Sequence, residues 1–346
     1  MRGVRKISLL LLGCVALFTA GCANSSSVEL NVGGFPVIST HFGCRGLVNE
    51  QDGSTSIRMR VGRAGAEAVE TVNVCFGSKG PFAFIVDTGA ATTTVDSSLA
   101  KKLHLPWSGP SSGSSGAGCT STSRPAAVKS WAVGGLWLDP QSVQVQSMPG
   151  FGGAGNAWGL LGSDVWSRFG ALRFDFLHQR LIVPGSEGRP PSGDEFVTGG
   201  TGPATPSSLV HHRPSIVAPM DVARGSNYTE MLVYAQLGML RHLALAPDTG
   251  SSSSLIDTST ASRAGLHHTK FTESGSTVCS TITTKYVTSG HWSLAGRALP
   301  GAMLSTLPLG PIKTAGFSGL LGSDVMSRYP SVVFDYDGGR LLLGAG

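Results

Sequence analysis

The strongest constraint on this chain is that it is written twice. "FAFIVDTGAATTTVDSSLAKKLHL" in the first half lies on "LALAPDTGSSSSLIDTSTASRAGLH" in the second, with Asp87 and Asp248 at an offset of 161 (248 minus 87). At that offset Gly77 meets Gly238, Phe82 Leu243, Phe84 Leu245, Asp96 Asp257, Trp131 Trp292 and Gly135 Gly296. Near the end "GLLGSDVWSRFGALRFDFLHQRLIV" meets "GLLGSDVMSRYPSVVFDYDGGRLLL" at 160 (319 minus 159), and Cys119 meets Cys279. A register held from Gly77 to Val183 is a duplication, so the fold must consist of two like units.

The local signals within each unit are those of strands. Gly, Ser and Thr are abundant, Val, Ile and Leu come in short runs, and only 14% of residues are charged, a mixture that favours an all-β protein with many turns. "VETVNVCFGSKGPFAFIVD" predicts two strands around a turn at Gly77–Gly80, the second ending at Asp87. "VDSSLAKKLHL" predicts a short helix capped by Asp96, and "SDVWSRF" a second before a closing strand "LRFDF". Further strands are expected around Trp131 and Val143. The repeats place one lobe at 57–184 and another at 217–346, joined by a Pro/Gly/Ser-rich linker at 185–216.

The N-terminus reads as a targeting segment. Arg2, Arg5 and Lys6 precede the apolar run "ISLLLLGCVALF", which is too short for a standard transmembrane helix, and "TAGC" follows. Residues 1–21 form a bacterial-style signal peptide on this reading, and Cys22 would be lipidated as the new N-terminus; Thr19 departs from the usual Leu. Residues 22–56 would then be an anchor or extension, contributing an edge strand or a stalk. The chain is expected to be exported to the cell envelope, on the outer face of the membrane as a lipoprotein, or secreted if cleavage is ordinary. Cys44, Cys75, Cys119 and Cys279 remain, which suggests two disulfides with three connectivities. Only Cys279 lies in the second half, so complete pairing would join the halves. The net charge of +5 is scattered and makes no basic stripe interleaved with aromatics, which argues against nucleic-acid binding. The His211-His212 and His267-His268 pairs lack a carboxylate or thiol array at metal-ligand spacing, so no metal site is expected.

The repeated motifs resemble those of the aspartic proteases. In each half an apolar strand leads to Asp-Thr-Gly and then Ala or Ser, here Asp87-Thr88-Gly89-Ala90 and Asp248-Thr249-Gly250-Ser251; further on come Leu160-Leu161-Gly162 and Leu320-Leu321-Gly322. Each half is similar to one retropepsin-type unit, and the pair to the two-lobed pepsin arrangement. The resemblance implies an all-β acid-protease fold, with two β-barrel-like lobes related by a pseudo-twofold and a few short helices. It implies an endopeptidase working on protein or peptide substrates, as a monomer and without a cofactor. Asp87 and Asp248 would be the catalytic carboxyls. Thr88 and Thr249 would bond across to the opposite loop, and Gly89 and Gly250 would leave room for backbone beside the carboxyls. The leucine-leucine-glycine segments would pack beneath.

The chemistry explains the doubling. Metal-free hydrolysis of a peptide needs a base for the water and an acid for the developing oxyanion, and two carboxyls sharing one proton supply both. Ser251 could donate to Asp248 where Ala90 cannot, which would make Asp248 the more readily ionised partner. The Gly/Ser-rich stretches around Cys119 and Cys279 would be flaps. A disulfide between these cysteines would tie the flaps together. Asp164 and Asp324 are expected to cap the helices that follow them. Two departures keep open the alternative of a catalytically silent lipoprotein that binds peptides or an envelope partner. Pro247 stands where the first copy has Val86, and 106–130 holds no flap tyrosine.

Overall fold

The computed structural model describes residues 44, 47–49, 52–149, 157–185, 187–188, 191, 193–277 and 281–345. The signal segment, Cys22 and Cys279 lie outside them. The fold is all-β with a few short helices, and its duplication is visible in the strand registers.

The two halves meet in one antiparallel sheet. Ala171–Asp175 pairs with Ser331–Asp335, and Arg173 lies opposite Val333, its own equivalent in the repeat. Ala171 lies opposite Asp335 and Asp175 opposite Ser331, so a pseudo-twofold axis passes between Arg173 and Val333. The sheet continues outwards in matching steps. Arg180–Pro184 is followed on one side by Ser54–Arg58, and Arg340–Leu343 on the other by Ile216–Gly225. Leu47–Asn49 adds a strand beside Ser54–Arg58. Side chains alternate across this sheet. Phe174 and Phe334 point to one face with ring centroids 5.6 Å apart, flanked by Phe176 and Tyr336. Ala171, Ile182, Val333 and Leu342 pack on the other face with Leu209. Burying rings of this size stabilises the junction by about 2–3 kcal/mol each.

The first half then builds a separate sheet, whereas the second half's strands continue the junction sheet through Ile216–Gly225. In the first, Glu67–Phe76 and Lys79–Val86 form the expected hairpin. In the second, Tyr228–Leu237 and Leu240–Pro247 do the same. Trp131 and Trp292 are core residues, their indole N–H groups donating to Asp139 O at 3.1 Å and Pro300 O at 2.7 Å. Asp96 and Asp257 cap the helices Ser97–Leu103 and Thr258–Arg263, accepting from Ser98 N at 2.9 Å and Ser259 N at 3.0 Å. The linker carries a short strand, Glu195–Val197, paired with Ile216–Gly225.

Cys44 is bonded to Cys75 across a sequence separation of 31, tying the N-terminal extension to the first hairpin. Cys119 is disulfide-bonded as well; its expected partner lies outside the described residues. Replacing Cys44 and Cys75 together by alanine is expected to lower the unfolding free energy by about 4 kcal/mol, the loop-closure value for a loop of this size. Urea denaturation under non-reducing conditions checks it.

Candidate active site

Each Asp-Thr-Gly triplet begins where a strand stops. Lys79–Val86 ends just before Asp87, and Leu240–Pro247 just before Asp248. Gly159–Leu161 and Gly319–Leu321 run parallel beside these ends, Leu161 opposite Val86 and Leu321 opposite Pro247. The Asp87 amide donates to Leu161 O at 3.0 Å and the Asp248 amide to Leu321 O at 2.9 Å. Pro247 therefore leaves the strand end in place. The ladder between Tyr228–Leu237 and Leu240–Pro247 stops at Val233–Leu245, one pair short of Thr71–Ile85 in the first half. The proline's missing N–H falls where that pairing has ended.

The triplets are locked together by crossed threonine bonds. Thr88 Oγ1 donates to Pro247 O at 2.8 Å, and Thr249 Oγ1 donates to Val86 O at 2.7 Å. In return the Thr249 amide donates to Thr88 Oγ1 at 3.0 Å and the Thr88 amide to Thr249 Oγ1 at 3.2 Å. All of these groups are buried. Pro247 meets this demand in full, because only its carbonyl is used. The glycines are fixed by what faces them. A Cβ on Gly89 would lie 2.4 Å from Asp248 Cγ, and one on Gly250 would lie 2.2 Å from Asp87 Cγ, so each carboxyl rests against the opposite loop.

The two carboxyls are fully buried and hydrogen-bonded to each other. Asp87 Oδ1 accepts from the Ala90 amide at 3.0 Å; Asp248 Oδ1 accepts from the Gly250 amide at 2.9 Å and the Ser251 amide at 3.1 Å. Burial, and then the charge of Asp87, push Asp248 well above the usual carboxyl range against these amides. One proton is thus retained on the pair. The hydrogen bond expected from the Ser251 hydroxyl to Asp248 is not made, because that hydroxyl donates to Ser253 O at 2.7 Å.

Asp164 and Asp324 also differ from expectation. Gly162 and Gly322 occupy the helix caps, with no side-chain capping bond. Asp164 Oδ1 instead accepts from the amide and hydroxyl of Thr93, both at 2.8 Å, and Asp324 Oδ1 from those of Ser254, both at 2.7 Å. They clamp the loops that follow the triplets. The floor beneath was not read from the sequence. Ser163 Oγ donates to Thr88 O at 2.7 Å and meets Tyr336 OH at 3.2 Å; Ser323 Oγ lies 3.2 Å from Thr249 O and donates to Glu70 Oε2 at 2.8 Å. The serine repeated in both "GLLGSD" segments was the available signal.

The first expected flap is a hairpin, Ser112–Gly116 with Cys119–Val128. It reaches the second half: Ala117 is buried with Leu307, Leu309 and Ile312, and Cys119 Sγ lies 3.3 Å from Thr277 Oγ1. His268–Ser276 and Thr281–Thr288 form its counterpart.

Two similar all-β halves on a pseudo-twofold, each offering one buried carboxyl to a shared pair, define the acid-protease class. The chain belongs to the aspartyl protease family, whose pattern matches it twice, over residues 72–165 and 238–325. No curated protein matches it.

Removing the Thr88 hydroxyl by Thr88→Val leaves the Pro247 carbonyl and the Thr249 amide without these buried partners. Denaturant unfolding should show a loss of about 2–4 kcal/mol, much of it recovered in Thr88→Ser. Burial also raises Asp164 and Asp324 from 3.8 to about 6. Between pH about 4 and 6 the folded chain then binds more protons than the unfolded one, so stability is greatest in acid and falls as the pH rises through that range. Each carboxyl accounts for about 3 kcal/mol. The thermal midpoint should drop between pH 4 and 7, and Asp324→Asn should flatten the slope.

Proposed function

We propose that the chain is an aspartic endopeptidase built as two retropepsin-type halves in tandem, hydrolysing protein or peptide substrates with no cofactor. The crossed threonine bonds carry this reading, because they press Asp87 and Asp248 into one proton-sharing pair. Asp87, ionised, takes a proton from a water lying between the carboxyls as that water attacks the scissile carbonyl carbon. Asp248 gives its proton to the carbonyl oxygen. As the tetrahedral diol collapses, Asp87 returns its proton to the leaving nitrogen, the C–N bond breaks, and Asp248 recovers a proton from the diol hydroxyl. The first hairpin would serve as the lid that shields this step from bulk water. The signal-like N-terminus and Cys22 support an exported, lipid-anchored protein acting on proteins at the cell envelope.

The mechanism needs one proton on the pair, so activity falls as the pH rises through the elevated pKa of Asp248. The exported chain in detergent, assayed against a peptide library across acidic to neutral pH, should cut and be blocked by a statine-type transition-state mimic. Asp87→Asn and Asp248→Asn should each lose about 10²–10⁴-fold in kcat. Equal peptide binding by all three proteins without cleavage would refute the peptidase reading in favour of a binding protein.

A further inference from the structure

Under each triplet a seryl hydroxyl is shared between the threonine carbonyl and an acidic group brought in by the opposite half. Tyr336, from the second half, meets Ser163; Glu70, from the first, meets Ser323. A hydroxyl has one hydrogen to give, so the partner's protonation decides where it goes. Burial pushes the Tyr336 phenol up, so it keeps its proton and can donate to Ser163 Oγ, which leaves the Ser163 hydrogen on Thr88 O at 2.7 Å. Glu70 has no such constancy. It is fully buried on strand Glu67–Phe76, and its Oε1 has no hydrogen-bond partner among the described residues. An ionised Glu70 only accepts, and at 2.8 Å it draws the Ser323 hydrogen away from Thr249 O, 3.2 Å off. A protonated Glu70 donates to Ser323 Oγ and releases that hydrogen to Thr249 O. The peptide between Thr249 and Gly250 carries the effect onward, since its N–H donates to Asp248 Oδ1 at 2.9 Å. A hydrogen bond on a peptide carbonyl strengthens the same peptide's N–H as a donor.

We propose that Glu70 is a proton-sensing positioning residue for the carboxyl pair: protonated, it turns Ser323 toward Thr249 and tightens the Gly250 bond to Asp248, and ionised, it withdraws that support. The proposal rests on the peptidase reading for its effect on turnover and on geometry alone for its effect on Asp248. Burial sets the switching range by raising Glu70 to about 7, opposed by the Ser323 bond and by the charge of Arg63. Arg63 comes from the neighbouring strand Arg60–Ala64, which also carries Arg60, and its guanidinium donates to Ser327 Oγ at 2.9 Å and Ser327 O at 3.2 Å. The helix Ser323–Met326 brings Asp324, turned onto Ser254, and Lys79–Val86 leads into Asp87.

Glu70→Gln places a permanent donor against Ser323, while Glu70→Leu and Ser323→Ala remove the relay. Two readouts on the full chain separate a relay from a merely structural role. Between pH 6 and 8 the wild-type kcat should fall roughly two- to fivefold more than that of Glu70→Gln, with KM unchanged. Glu70→Leu and Ser323→Ala should have lower kcat and lack this additional fall. In protein labelled with 13C at the Asp carboxyls, with Asp248 assigned through Asp248→Asn, its resonance should show an inflection near pH 7 that Glu70→Gln abolishes. Superimposable Asp248 titrations in wild type and Glu70→Gln would overturn the relay. No cleavage by any variant, with the inflection still dependent on Glu70, would overturn the peptidase reading and sustain the relay.

Discussion

The site depends on two hydroxyls. Thr88 and Thr249 each reach across the pseudo-twofold to the carbonyl before the opposite aspartate, and each accepts the other's amide. These bonds lie where no water competes, so they set the separation of the triplets far more stiffly than surface contacts would. The glycines follow from this closeness, because no side chain fits between loop and carboxyl. The raised pKa of Asp248 follows too, since burial first and then a second carboxyl this near oppose its ionisation.

The surroundings of the pair are unusually acidic for an interior. Glu70, Asp164 and Asp324 are buried as well, and each is raised by the loss of water. Their partners are hydroxyls and amides more than cations, and such partners serve a carboxyl in either protonation state. The interior is consequently matched to acid, in the same direction as the proton requirement of the proposed chemistry. The aromatic cluster of Phe174, Phe176, Phe334 and Tyr336 closes the junction between the halves, and Tyr336 alone among them adds a polar tip that reaches the loop floor.

Much of this was legible in the chain. A repeat that holds register through Asp87 and Asp248 implies a twofold arrangement, and strand periodicity with Asp96 as a cap placed the first hairpin and helix correctly. The parts that resisted reading were those decided by three-dimensional neighbours. Ser251 sits beside Asp248 in sequence, yet its hydroxyl has a nearer carbonyl at Ser253. Asp164 looks like a helix cap because it opens a helix, but Thr93, far off in sequence, offers two donors. Pro247 looked like damage because sequence does not say which of its backbone groups the fold uses. Glu70 occupies an ordinary strand position, and only packing against the other half isolates it.

The register at the axis shows what joining the halves made available. In a dimer of identical halves, residues on a twofold face copies of themselves, so an arginine there would meet an arginine. Here Arg173 faces Val333, and its guanidinium turns to Asp175 at 3.2 Å and His211 at 3.1 Å. The same freedom lets one serine rest on a phenol and its twin on a carboxyl. Covalent fusion released this chain from the rule that whatever suits one side of the axis must suit the other.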